Sequence, residues 1–193
     1  VPLVADMSSN ILSEPYDVTR FGAIYAGAQK NIGPSGVAVL IVRRDLLGHA
    51  DAKCPKLLDW ALQEKNGSMI NTPNTWAIYL CGLCLEWLQN QGGVEAIEKV
   101  NIEKAKLLYD FLDESRLFKP TARREFRSRM NVKFVTGEAE LDAAFVAEAK
   151  AAGLVNLKGH RSVGGMRASI YNAMPIEGVQ ALVDFMKRFE AAH

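Results

Sequence analysis

Tyr25-Ala26-Gly27-Ala28-Gln29-Lys30-Asn31-Ile32-Gly33-Pro34 runs from small and apolar residues into a loop dense in turn formers. That is how a strand reads where it ends at a sheet edge. On either side lie Val1-Pro2-Leu3-Val4-Ala5 and Gly36-Val37-Ala38-Val39-Leu40-Ile41-Val42, short and nearly continuous apolar runs bounded by turn residues. Runs of this kind mark strands covered on both faces. Val1 to about Arg44 therefore reads as buried sheet, with Phe21 to Ala26 as a third strand. An apolar run at the first residue implies a strand already deep in a sheet, whereas domain boundaries fall in exposed polar linkers. The expectation is that the natural protein extends upstream.

Thr72-Pro73-Asn74-Thr75 sets breakers and a candidate N-cap ahead of an apolar helix that runs to about Asn90, where Gly92-Gly93 stops it. Val94 to about Glu114 brings Val94, Ile97, Val100, Leu108, Phe111 and Leu112 to one helical face. A domain boundary near Gln89 to Gly93 separates residues 1–90 from residues 91–193. Beyond it the pattern gives a strand around Asn131 to Thr136 and a helix from Glu138 to Ala151. Short strands near Leu154 and from Met166 to Tyr171 and a last helix from Ile176 to Ala191 complete a small α+β unit.

A chain of 193 residues can bury a substantial core, and 49% hydrophobic with 23% charged residues lies far from the composition of disordered segments. The net charge of +1, from 23 basic and 22 acidic residues, supplies no field that would gather nucleic acid or an anionic membrane. The densest basic run, Arg123, Arg124, Arg127 and Arg129, encloses Glu125 and offers only Phe126 as an aromatic, so it reads as a solvated structural face. Three cysteines, Cys54, Cys81 and Cys84, are too few for a disulfide framework and favour a reducing, cytoplasmic compartment. Cys81 and Cys84 fall inside the apolar helix and read as core residues one turn apart, rather than as a reactive pair at a helix start. No run reaches the roughly 18 apolar residues of a membrane span, and the N-terminus lacks the pattern of a signal peptide. No metal site is expected.

The chemistry centres on Lys30. It follows a strand-like run among small apolar neighbours, and such surroundings help an amine lose its proton and act as a nucleophile. Gly27 and Ala28 leave space for a flat group. By itself a lysine at a strand end is ordinarily a solvated one. Asp6 ends an apolar run in Ala5-Asp6-Met7-Ser8-Ser9, and carboxyl ends of strands are where α/β sheets place ligand contacts. It reads equally as the N-cap of the segment that follows. His160, Arg161 and Arg167 crowd a Gly-rich stretch with few acidic neighbours, which suits an anion, although scattered surface carboxylates could also pair with the two arginines.

Three long motifs then occur in order. They are Tyr25 to Pro34, Gly67-Ser68-Met69-Ile70-Asn71-Thr72-Pro73, and Gly159-His160-Arg161-Ser162-Val163-Gly164-Gly165-Met166-Arg167-Ala168-Ser169-Ile170-Tyr171-Asn172-Ala173. Together they resemble the phosphoserine aminotransferase family of class V aminotransferases, and the resemblance covers essentially the whole chain as the C-terminal half of that family. It implies an α/β architecture of the aspartate-aminotransferase-like type, fold type I. Residues 1–90 would be the C-terminal part of the large domain that binds pyridoxal 5′-phosphate, and residues 91–193 a small α+β domain.

The resemblance further implies Lys30 as the lysine joined to the cofactor through a Schiff base and Asp6 on its pyridine nitrogen. Ser8 and Gln29 would line the cofactor. Asn71 and Thr72 would reach the cofactor phosphate of the other subunit of a homodimer, a role compatible with capping the helix ahead of Trp76. His160 and Arg161 would hold the substrate phosphate, and Arg167 the α-carboxylate. The implied reaction moves an amino group between L-glutamate and the phosphorylated 2-oxo acid 3-phosphohydroxypyruvate, giving O-phospho-L-serine and 2-oxoglutarate, with 4-phosphohydroxy-L-threonine as a second product in some members. In the family the N-terminal half supplies a Gly-rich phosphate loop, an aromatic residue stacked on the ring and a further arginine. These 193 residues alone are therefore expected to be nearly inactive. Two other readings stand beside this one: a different fold-type-I enzyme such as a cysteine desulfurase, and a dimerisation module that keeps the fold without the reaction.

Overall fold

Ile24 and Ala26 are enclosed while Tyr25 between them is exposed, the period-2 alternation that makes this segment a central strand. The structure, a computed structural model, describes residues 1–161 and 164–193. The chain divides into two units, Val1–Asn90 and Gln91–His193. In the first, β1 (Val4–Asp6), β2 (Ala23–Gly27) and β3 (Ala38–Val42) form a sheet in that order. β1 and β2 are parallel, with Asp6 opposite Tyr25, and β2 pairs antiparallel with β3. Met7, Ile11, Ile24, Ala26, Ala28, Ile32 and Cys81 make the core of this unit.

The short helix α1 (Trp60–Lys65) and the longer α2 (Thr75–Asn90) complete it. Asp59 caps α1 by accepting from the amides of Ala61 and Leu62. Asn74 caps α2, its Oδ1 accepting from the Ala77 amide at 3.1 Å. Only Ala77, Cys81 and Leu88 of α2 are buried, whereas Trp76, Tyr79 and Leu83 are exposed.

Near the start of the second unit stands Gly92, whose φ of 94° places it in the left-handed region that glycine tolerates. α3 (Gly93–Glu114), α4 (Ala139–Ala151) and α5 (Ile176–Ala192) pack with an antiparallel sheet ordered β4 (Lys119–Pro120), β5 (Asn131–Val135) and β6 (Met166–Ser169). Val179, Leu182, Val183, Met186 and Phe189 form one buried face of α5 at helical spacing. They meet a set of rings centred on Phe145, whose centroid lies 5.0 Å from that of Phe118 and 5.2 Å from that of Phe189.

Several sequence expectations need correction. Val1–Leu3 lie outside β1 and are exposed, and Val4 within it is 58% exposed, so this run is not deep inside the described sheet. β3 likewise keeps Leu40 and Ile41 exposed, successive residues that point to opposite faces of the sheet. The strand expected near Leu154 is absent. That segment makes only a single antiparallel bridge, Lys158 to Met166, since Gly153 and Asn156 turn the backbone to positive φ. Val100, expected in the buried face of α3, is 39% exposed, and Asn101 and Lys104 occupy the interior instead. Most of the basic run is solvated as expected, with Arg123 and Arg124 exposed, and Arg127 is the exception. Arg127 lies 4.6 Å over the Tyr109 ring and, with Arg124, clasps Asp113. The hydrogen bonds from Arg127 and then Arg124 hold the Asp113 carboxyl well below the usual carboxylate range.

Of the two helical cysteines Cys81 is buried and Cys84 half-buried; burial, and secondarily the neighbouring Cys84, raises the Cys81 thiol above its ordinary range, as suits packing rather than reactivity. Among the described residues no helix is long and apolar enough to cross a membrane.

Candidate active site

The C-terminal ends of β1 and β2 lie side by side because the strands run parallel, so the residues that leave them meet at one sheet edge. Asp6 closes β1 and Ser8 turns back on it. The Ser8 hydroxyl donates to Asp6 Oδ1 at 2.6 Å and the Ser8 amide to the same oxygen at 2.9 Å. The Ser8 hydroxyl also accepts from the Gly27 amide at 3.0 Å, tying this turn to the end of β2. The two Ser8 bonds, with help from Tyr25 and the positive charge of Lys30, hold the Asp6 carboxyl below its ordinary range. Asp6 is thus a fixed, ionised carboxylate that is still open to a ligand. It does not cap a helix.

Lys30 falls three residues past the end of β2, not within it. The turn is closed by Lys30 N–H and Gly33 N–H, which both donate to the Ala28 carbonyl at 2.7 Å. Its Nζ donates to Ser9 Oγ at 2.8 Å, and Asn31 Nδ2 donates to the Ile11 carbonyl at 3.0 Å. The Ser8-Ser9 pair therefore serves both functional groups, Ser8 for Asp6 and Ser9 for Lys30. Ser9 was not legible as a site residue, since only the folded loop brings it to Nζ. Gln29 is exposed, and a Cβ built on Gly27 would lie 2.6 Å from its Oε1. The open space expected beside Gly27 is thus taken by the Gln29 amide, which lies across the end of β2.

Asn71 and Thr72 are exposed in the loop before α2, with Asn71 Nδ2 donating to the Thr72 carbonyl. Among the described residues no hydrogen bond joins them to Asp6, Ser8 or Lys30, and the capping of α2 belongs to Asn74.

The remaining candidates lie in Gln91–His193. The loop from Gly159 to Gly165 is pinched by Gly159 N–H donating to the Gly165 carbonyl and Gly164 N–H to the His160 carbonyl. A Cβ on Gly159 would stand 2.2 Å from the Gly164 oxygen, so only glycine permits this closure. His160 and Arg161 are exposed on this loop; Ser162 and Val163 of the same motif lie outside the described residues. Arg167 sits on β6 opposite Lys133. Its Nε is buried without a hydrogen-bond partner, and neither Arg161 nor Arg167 forms an ion pair among the described residues. Arg167 also lines a groove of about 710 Å³ together with Lys158, Asn156, Ser169 and Met174. Among the described residues no cluster of His, Cys, Asp or Glu is suited to a metal ion.

In the first unit, then, a lysine and an ionised carboxylate stand at the carboxyl edge of a parallel strand pair, and in the second two arginines make no ion pair among the described residues; charges of these kinds suit small anionic ligands. The aminotransferase class V family model matches residues 1–182, and this chain belongs to that family. Its relatives narrow the class. The chain is 60% identical over 190 residues to the phosphoserine aminotransferase of Bacillus cereus, covering 98% of this chain and 53% of that protein. The solved phosphoserine aminotransferase of Bacillus circulans subsp. alkalophilus superposes with a TM-score of 0.94 at 47% identity, over 100% of this chain and 54% of that one. The pyridoxal-phosphate-bound phosphoserine aminotransferase of Trichomonas vaginalis superposes with a TM-score of 0.92 at 43% identity, over 97% and 54%. The chain spans about half the length of the relatives it matches, and its fold is the mixed α/β fold of pyridoxal-phosphate-dependent aminotransferases.

Proposed function

We propose that the protein containing this chain is a phosphoserine aminotransferase, moving an amino group between L-glutamate and 3-phosphohydroxypyruvate with pyridoxal 5′-phosphate as cofactor. The observation that carries the reading is the Ser8 bridge, which fixes an ionised Asp6 at the same edge where Ser9 holds the Lys30 ammonium. These groups fit the cofactor: an amine for its aldehyde carbon and a carboxylate for its pyridine nitrogen. When bound, the cofactor supplies an electron sink for the carbanion formed at the substrate's α-carbon.

The chain's own groups do the rest. Asp6, ionised and restrained by two Ser8 bonds, would hold a proton on the cofactor's pyridine nitrogen. Lys30 would hold the cofactor through its amine and would move a proton to and from the substrate's α-carbon, Ser9 giving its Nζ a defined position. Gln29 lies across the end of β2 and lines the cofactor, while Asn71 and Thr72 reach the cofactor phosphate of a second subunit in a homodimer. His160 and Arg161 bind the substrate phosphate, and Arg167 binds the α-carboxylate with the planar fork of its guanidinium. In this reading residues 1–90 belong to the cofactor-binding large domain and residues 91–193 are the small domain. The three cysteines, all free thiols, fit a cytoplasmic enzyme.

In a version of the protein as long as its relatives, Arg161→Ala is expected to lower kcat/KM for O-phospho-L-serine roughly 10²-fold, the loss of a charge-assisted bond, and that for unphosphorylated L-glutamate only a few-fold. Steady-state kinetics on both substrates checks this. Equal losses would remove Arg161 from the phosphate site.

A further inference from the structure

Lys104 lies in the middle of α3 with none of its surface exposed, on the face that packs inward. Among the described residues it makes no ion pair, which is unusual for an interior lysine. Its Nζ donates to three backbone carbonyls instead: Tyr171 at 2.8 Å, Met174 at 3.0 Å and Ile170 at 3.3 Å. An ammonium has three protons, and all three are used. Burial lowers this amine from its ordinary value to about 8, so it is still charged at neutral pH.

The three acceptors all belong to the crossover between β6 and α5, which has no regular structure of its own. One turn earlier on α3, Asn101 Nδ2 donates to Asn172 Oδ1 at 2.9 Å, within the same crossover. From the sheet side, Asn131 Oδ1 accepts from the Ser169 and Tyr171 hydroxyls. The segment from Ser169 to Met174 is therefore held by α3 and β5, with the interior ammonium as the point where its carbonyls converge. It continues directly from Arg167, whose guanidinium Nε is buried and unpartnered. Ser169, Ile170 and Met174 line the same groove as Arg167.

We infer that Lys104 is a positioning residue for the substrate end of the site: by gathering the carbonyls of Ile170, Tyr171 and Met174 it fixes the β6 strand end and, through it, the placement of Arg167. This rests on Arg167 being a substrate ligand. Lys104 touches neither substrate nor cofactor. A methionine of similar length fills the same volume but leaves three converging carbonyls without a donor, so the crossover must shift to find other partners.

The test uses Lys104→Met in the protein at the length of its relatives, with Arg167→Ala as a control, and Lys104→Arg in its place if the methionine variant does not fold. The expected result is a KM for O-phospho-L-serine raised about tenfold with kcat within about threefold, inside the roughly hundredfold that a misplacement of ~1 Å can cost. Hydrogen–deuterium exchange at the amides of residues 166–174 should speed up alongside. An unchanged KM in the Lys104 variant, with KM raised in Arg167→Ala, would overturn the positioning role. Unchanged exchange at those amides would overturn it as well. An unchanged KM in Arg167→Ala would instead overturn the reading of Arg167, and the inference with it.

Discussion

Replacing Lys30 by alanine is expected to reduce transamination by at least ~10²-fold to 10⁴-fold, the range contributed by one positioned proton-transferring side chain. The loss should be larger if covalent attachment of the cofactor also aids its exchange with the amino acid. The structure explains why the change would be chemical and not structural. Lys30 is half-buried, its turn is closed by backbone bonds from its own amide and that of Gly33, and among the described residues its side chain hydrogen-bonds to Ser9 Oγ. Alanine retains the turn and loses only that bond, so stability should fall by no more than about 1 kcal/mol. Single-turnover assays on the full-length protein, paired with urea unfolding, separate the two effects. Substantial activity in a folded Lys30→Ala protein would show that another group carries the proton.

The second large effect concerns the core of Gln91–His193. Phe145 is fully enclosed, and its ring contacts those of Phe118, Phe134, Phe185 and Phe189, at centroid distances from 5.0 to 5.9 Å. Four neighbours drawn from α5, β5 and the segment before β4 cannot all relax into the space left by a ring. Phe145→Ala should therefore cost about 3–5 kcal/mol, the upper range for aromatic truncation. Phe126, 68% exposed, provides the comparison, and Phe126→Ala should stay within about 0.5 kcal/mol. Equilibrium urea unfolding of the three proteins measures both. A cost below about 1 kcal/mol for Phe145→Ala would mean that the aromatic cluster is not the centre of this core.

What could be read in advance followed the physics of each signal. α3, α4 and α5 were legible to within a residue or two because a helix of 13 or more residues repeats its apolar period several times. β4, two residues long, carries no period and was missed, as was α1, whose six residues span less than two turns. The apolar runs Val1–Ala5 and Gly36–Val42 were found as strands, but their expected burial was not met. Periodicity reports what a strand can bury, and the covering element must be present for it to do so.

For the site, Asp6, Lys30 and the arginines were visible as residue types at loop and strand ends. Ser9 was not, because its role depends on which atoms a turn brings within 3 Å. Lys104 was the least legible of all. It appeared as one charge among many on a helix, and only the three carbonyls that converge on it explain why it lies on the inward face.

The central claim is that Lys30 is the amine that binds the cofactor, with Asp6 as its fixed carboxylate partner. Its most direct test is to load the protein, at the full length of its relatives, with pyridoxal 5′-phosphate, reduce with borohydride, and locate the modified residue by peptide mass spectrometry. The account predicts a phosphopyridoxyl group on the peptide containing Lys30, and on that residue. A stoichiometric label on any other lysine, with Lys30 unmodified, would contradict it.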